Sequence, residues 1–158
     1  MSRLFSLLIL LLTLSALQAQ DLVTPFAQSR FKKTATYEET IQFYEQLAEM
    51  HPYTSRLFTY GRTDAGHPLH LFVISDRGFD PVELREEKIP FVLINNGIHP
   101  GEPCGVDASM MLAQNLLSRS GQEKPVTIGI IPLYNIGGAL NRNSTSRTNQ
   151  VGPESYGF

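Results

Sequence analysis

Apolar and polar residues alternate along the chain with different periods in different segments. Ile41, Tyr44, Leu47 and Ala48 recur at helical spacing, and Thr36 followed by Glu39 has the spacing of a capping box. His51-Pro52 closes that pattern, because the residue before a proline is pushed out of the α region. The spacing therefore predicts a helix from about Tyr37 to Met50. Arg56 to Tyr60 is short and β-prone, and Gly61 to Gly66 supplies turn residues. Leu69 to Ser75 then sets Leu69, Leu71 and Val73 against Phe72 and Ile74. Two strands about a glycine-containing loop predict a hairpin. The charged stretch from Pro81 to Lys88 has room for a helical turn.

Phe91, Val92, Leu93 and Ile94 are continuous, the pattern of a strand buried on both faces of a helix-covered sheet. Helical spacing returns from Asp107 to Ser118 through Met110, Met111, Ala113, Leu116 and Leu117, and Val126 to Pro132 reads as another buried strand. Strand, helix and strand make a βαβ unit, which places the chain in the α/β class. From Leu133 to Phe158 the composition changes to Asn, Gly, Ser, Thr and Arg, and no packed element is expected there.

The first residues belong to a different pattern. One cation, Arg3, precedes a run from Leu4 to Leu12 that is apolar except for Ser6, and small residues follow at Ser15, Ala16 and Ala19. This is the layout of a cleaved secretory signal peptide, and the run is short for a bilayer span, which takes roughly 20 residues. The expected organisation is a signal peptide over 1–19, an N-terminal arm over 20–36 without clear period, and one domain over 37–158. Localisation follows as secreted or periplasmic, with no stable membrane anchor. A formal charge of −2 and no basic stripe argue against a nucleic-acid partner. Cys104 is the only cysteine, so the core has to come from packing without internal disulfides.

Candidate chemistry sits between the apolar strand and the following helix. In open α/β sheets ligands bind beyond the carboxyl ends of strands, which is where NNGIHPGE falls. His99 and Glu102 lie on a tight turn that Pro100 and Gly101 make feasible, so both side chains can converge on one point. Imidazole nitrogen with carboxylate oxygen is a donor pair suited to zinc. The bare spacing equally fits an exposed His beside a Glu placed for the helix macrodipole. Other residues read as structural. His67 and His70 fall on opposite faces of a strand and are expected at the surface or in a turn. His51 is a helix-end residue favoured by the dipole, and Cys104, Met110 and Met111 are packing residues.

The segment NNGIHPGEPCG resembles the first zinc-binding segment of the M14 family of metallocarboxypeptidases, where a strand end leads into H-x-x-E. YGRTDAGHPLHLFVIS upstream and IIPLYNIGGALNRNSTSRTN downstream resemble that family in the same order, although NIGG stands where the family has NPDG. The resemblance implies an α/β fold with a mixed, mostly parallel sheet flanked by helices, incomplete at the C-terminus. It implies one Zn2+ per complete domain, with His99 and Glu102 as the first two ligands. Arg147 matches the arginine that stabilises the oxyanion, with Arg142 as the alternative. The implied activity is hydrolysis of C-terminal residues from peptides or proteins. The third ligand and the general base are expected beyond Phe158, so this chain alone is expected to turn over no substrate. A zinc deacylase of small amino-acid conjugates and a non-catalytic secreted binding domain are the alternative functions.

Overall fold

The computed structural model describes residues 22–99, 101–119 and 123–141. The expected signal peptide lies outside them. Helix α1, Pro25–Gln28, opens the described chain, with Pro25 in its first turn and Thr24 Oγ1 accepting from Ala27 N at 3.3 Å. The arm is thus partly helical. Its single turn is set by a cap and a proline, which leave no apolar period to read.

Helix α2 runs Tyr37–Met50, and its capping box is complete: Glu39 N donates to Thr36 Oγ1, while Thr36 N donates to Glu39 Oε2. Thr40, Phe43, Tyr44 and Leu47 form its buried face. That face is rotated from the expected one, with Phe43 inside and Ile41 half-buried. Strands β1, Ser55–Arg62, and β2, Pro68–Ile74, form the expected antiparallel hairpin, with Phe72 opposite Leu57 and His70 opposite Thr59. Helix α3, Pro81–Glu86, starts at Asp80, whose carboxylate accepts from Val82 N at 2.7 Å. Strand β3, Phe91–Asn95, helix α4, Cys104–Ser118, and strand β4, Thr127–Ile131, make the βαβ unit. The short helix α5, Ile136–Leu140, follows, capped by Asn135, in a stretch whose composition gave no such element.

The sheet order is β1-β2-β4-β3. It is mixed: β2 runs antiparallel to both neighbours, and parallel pairing among the described strands is confined to β3 with β4. Phe72 pairs with Ile130, and Ile130 with Ile94, which puts all three on one face. The helices cover that face, and Tyr44, Leu47, Val106, Met110 and Ala113 pack with Phe72, Ile74 and Ile130 in the core.

Strand β3 departs from expectation. Phe91 is 52% exposed, Val92 46% and Leu93 54%, so the strand is not buried on both faces. It sits at the sheet edge with β4 as its one described partner, and among the described residues no element covers its outer face. A continuous apolar run reports what a strand is suited to pack against, not whether the neighbour is present.

Two histidines also differ from their expected settings. His70 is buried on the helix-facing side of β2, with Nδ1 3.1 Å from Thr59 Oγ1. Burial lowers its pKa, opposed in part by Glu45 and by a hydrogen bond to the Phe58 backbone. At the end of α2, the pKa of His51 is also lowered, first by burial and then by the nearby Lys124 cation. The helix dipole therefore does not leave His51 preferentially charged.

Both imidazoles bind protons less readily in the folded than in the unfolded chain. Their contribution to stability is thus full above the ordinary His pKa of about 6.5 and is lost as pH falls through it, levelling off below the folded values. The denaturation midpoint should fall between about pH 7 and about pH 5. A His51→Gln, His70→Gln variant should lose much of that slope, and an unchanged slope would remove these histidines as its cause. A second expectation concerns the capping box. Thr36→Ala should cost about 0.5–2 kcal/mol, read from a urea midpoint.

Candidate metal centre

The chain does not leave the sheet at the end of β3. Asn96 N donates to Ile131 O at 3.2 Å, Tyr134 N to Asn96 O at 2.8 Å and Asn135 N to Gly97 O at 3.0 Å. These bonds carry the pairing of the two segments past the ladder and fix where the next turn begins. Gly97 has φ +62°, and a Cβ there would meet Leu133 Cγ at 3.0 Å. Left-handed backbone and close approach of Leu133 both call for glycine at this position.

The turn then closes on itself, with Glu102 N donating to His99 O at 3.0 Å. Helix α4 begins immediately after, and Val106 N donates to Pro103 O at 2.9 Å. This geometry brings His99 and Glu102 together. His99 Nδ1 lies 3.1 Å from Glu102 Oε2, with both side chains partly open to solvent. One nitrogen and one oxygen donor therefore meet at a single accessible point, and that donor set fits zinc. Among the described residues no group of three or more His, Cys, Asp and Glu could hold a metal, so this pair is a partial ligand set.

The remaining sequence candidates fall elsewhere. Arg147 and Arg142 lie outside the described residues. His67 packs edge-on against Tyr37, with ring centroids 5.7 Å apart, and His70 faces the helix layer. Cys104 is exposed, which corrects its expected packing role. It is the first residue of α4, where its side chain meets solvent before the helix turns into the core.

Three supporting polar residues were not picked out by the sequence reading. Asp107, buried in the first turn of α4, accepts from Thr34 Oγ1 at 2.6 Å and from Ala35 N at 3.1 Å. This ties the entry to α2 against the helix that follows the turn. Asn96, also buried, accepts at Oδ1 from Ser109 Oγ at 3.1 Å, which links the strand end to α4. The available signal was the Asn95-Asn96 pair directly after an apolar strand, where buried polar side chains require specific partners.

The chain matches the zinc carboxypeptidase family of M14 peptidases over residues 40–155, a span that contains His99, Glu102 and Arg147. The chain belongs to this family. Solved structures agree at the level of the fold. Carboxypeptidase A from Helicoverpa armigera aligns with TM-score 0.59 and 19% identity, covering 69% of this chain and 26% of that one. Bovine thrombin-activatable fibrinolysis inhibitor, in complex with tick carboxypeptidase inhibitor, aligns with TM-score 0.58 and 17% identity, covering 76% of this chain and 36% of that one. The chain thus spans between a quarter and just over a third of the length of these carboxypeptidase-fold structures. No curated sequence matches it. The described elements form an incomplete carboxypeptidase-like α/β fold, and zinc is the metal that the family implies.

Gly97→Ala provides a local test. The left-handed backbone alone should cost about 1–2 kcal/mol, before any displacement of Leu133. A Gly97→Ala variant with an unchanged urea midpoint would show that the strand end is not constrained in this way.

Proposed function

We propose that this chain is the N-terminal part of a zinc-dependent carboxypeptidase that removes C-terminal residues from peptides or proteins. The observation that carries the reading is the convergence of His99 Nδ1 and Glu102 Oε2, 3.1 Å apart at the carboxyl end of a parallel strand, in a chain of the zinc carboxypeptidase family. Support for a longer catalytic domain comes from two sides. The solved carboxypeptidases extend well beyond the matched region, and the outer face of β3 presents half-exposed Phe91 and Leu93.

Each residue has a defined task in this reading. His99 offers a ring nitrogen and Glu102 a carboxylate oxygen as two metal ligands. A third ligand and a general base come from residues after Phe158. When bound, zinc supplies Lewis-acid polarisation of a carbonyl and activation of water. Arg147 is assigned to stabilise negative charge developing on the scissile carbonyl oxygen, a task for which a permanently charged guanidinium is suited. On that assignment residues 1–158 by themselves support no useful turnover. The apolar run at Leu4–Leu12 directs export to a secreted or periplasmic location, with cleavage near Ala19.

The test uses the longest polypeptide that the gene encodes. It should carry about one zinc per chain and shorten peptides with a free C-terminal carboxylate, while leaving C-terminally amidated ones intact. His99→Ala and Glu102→Gln should each weaken zinc binding by more than the roughly 10–100-fold that loss of a supporting hydrogen bond costs. Zinc content that survives both substitutions would refute the ligand assignment. Cleavage of small acyl conjugates in preference to peptides would reassign the activity to a deacylase.

A further inference from the structure

The carboxamide of Asn96 is satisfied at one end only. Its Oδ1 accepts from Ser109 Oγ at 3.1 Å, whereas Nδ2 is buried without a hydrogen-bond partner. The residue as a whole is 6% exposed. A buried donor left without an acceptor costs about 1–3 kcal/mol, so an orphan of this kind calls for a state in which the bond is made.

The surroundings restrict where an acceptor can come from. On the strand side, the Asn96 backbone is committed at both N and O to the β4 segment. On the helix side, Gly105 lets the first turn of α4 close on the carboxamide, because a Cβ there would lie 3.1 Å from Oδ1. Between these fixed walls runs the turn that carries His99 and Glu102. Its ends are tied by Asn135 N to Gly97 O at 3.0 Å and Val106 N to Pro103 O at 2.9 Å, and between them Glu102 N donates to His99 O and Asn135 Nδ2 to Ile98 O at 3.4 Å. A backbone carbonyl has two lone pairs and can accept a second bond.

Resting on the metal reading above, we propose that Asn96 is a positioning residue for the metal-binding turn. Its Nδ2 is the donor for a carbonyl oxygen of the described residues of the turn, 97–99 and 101–103, and that bond forms when His99 and Glu102 close on a cation. Ser109 holds the carboxamide by Oδ1, which leaves Nδ2 as the available donor. Metal loading would thus satisfy the donor that is otherwise orphaned. Supporting hydrogen bonds of this type set ligand orientation, and their loss typically lowers metal affinity about 10–100-fold.

Asn96→Leu separates this role from a purely structural one. Leucine has nearly the same shape and lacks the orphaned donor. Because leucine also removes the acceptor of Ser109 Oγ, stability is read in the Ser109→Ala background: there the metal-free Asn96→Leu, Ser109→Ala variant should be as stable as Ser109→Ala or more so, while the zinc affinity of Asn96→Leu, measured by chelator competition on the intact polypeptide, should fall about 10–100-fold. A Ser109→Ala variant, which frees Oδ1 and lets the carboxamide turn, should lose zinc affinity by a smaller factor. Unchanged zinc affinity in Asn96→Leu or in Ser109→Ala would overturn the inference and leave the metal site standing. Loss of stability when Asn96→Leu is added to metal-free Ser109→Ala, or failure of that double variant to fold, would make Asn96 a structural residue and also overturn it. A parent protein that binds no zinc would overturn the inference and the metal reading together.

Discussion

The continuation of β3–β4 pairing beyond the strand ends is the constraint on which the site depends. Asn96 and Gly97 are bound to Ile131, Tyr134 and Asn135 through three backbone hydrogen bonds, so the chain leaves the sheet at a fixed point and in a fixed direction. The left-handed glycine and the packing of Leu133 then set the entry to the turn. Helix α4 sets its exit, anchored by buried Asp107 and by the Ser109 contact to Asn96. His99 and Glu102 meet because both ends of a short turn are held. Scaffolds commonly position functional side chains in this way, on loops whose ends are rigid.

The sheet is covered unevenly. On one face, Phe72, Ile74 and Ile130 pack under α2 and α4 in a core that includes fully buried Tyr44 and Met110. Burial raises the pKa of the Tyr44 hydroxyl. On the other face, Phe91 folds across Gly129 next to Leu71, while Leu93 remains half exposed. Near β1 the same face is partly shielded by Phe79, with the Arg56 guanidinium 4.7 Å from its ring centroid. Fully burying a side chain such as Leu or Phe contributes about 1.5–3 kcal/mol, so an open face of this kind withholds stability that a covering element would supply.

Local signals were read well wherever the deciding atoms lie within a few residues. Helix α2 begins and ends as expected because Thr36, Glu39 and His51-Pro52 act on their own neighbourhood. The hairpin and the βαβ unit follow from strand periodicity and turn residues in the same way. Misreadings arise where a partner distant in sequence decides. Whether β3 is buried depends on what lies beside and above it, and His70 is buried because α2 crosses its side of the sheet. The single turn of α1 and the short α5 rest on caps at Thr24 and Asn135, too brief to leave a period.

By itself the sequence determined the α/β class, most element boundaries, and a His and a Glu at a strand end in a pattern resembling the zinc carboxypeptidases. Those properties follow from side-chain chemistry and spacing along one stretch of chain. Tertiary structure decided that the two donors meet 3.1 Å apart, that Ser109 ties the strand end at Asn96 to α4 while Asp107 ties Thr34 to it, and that Cys104 faces solvent. The physical reason is that convergence and burial depend on distances between segments, such as Thr34 and Asp107, that only the packed sheet and helices bring together.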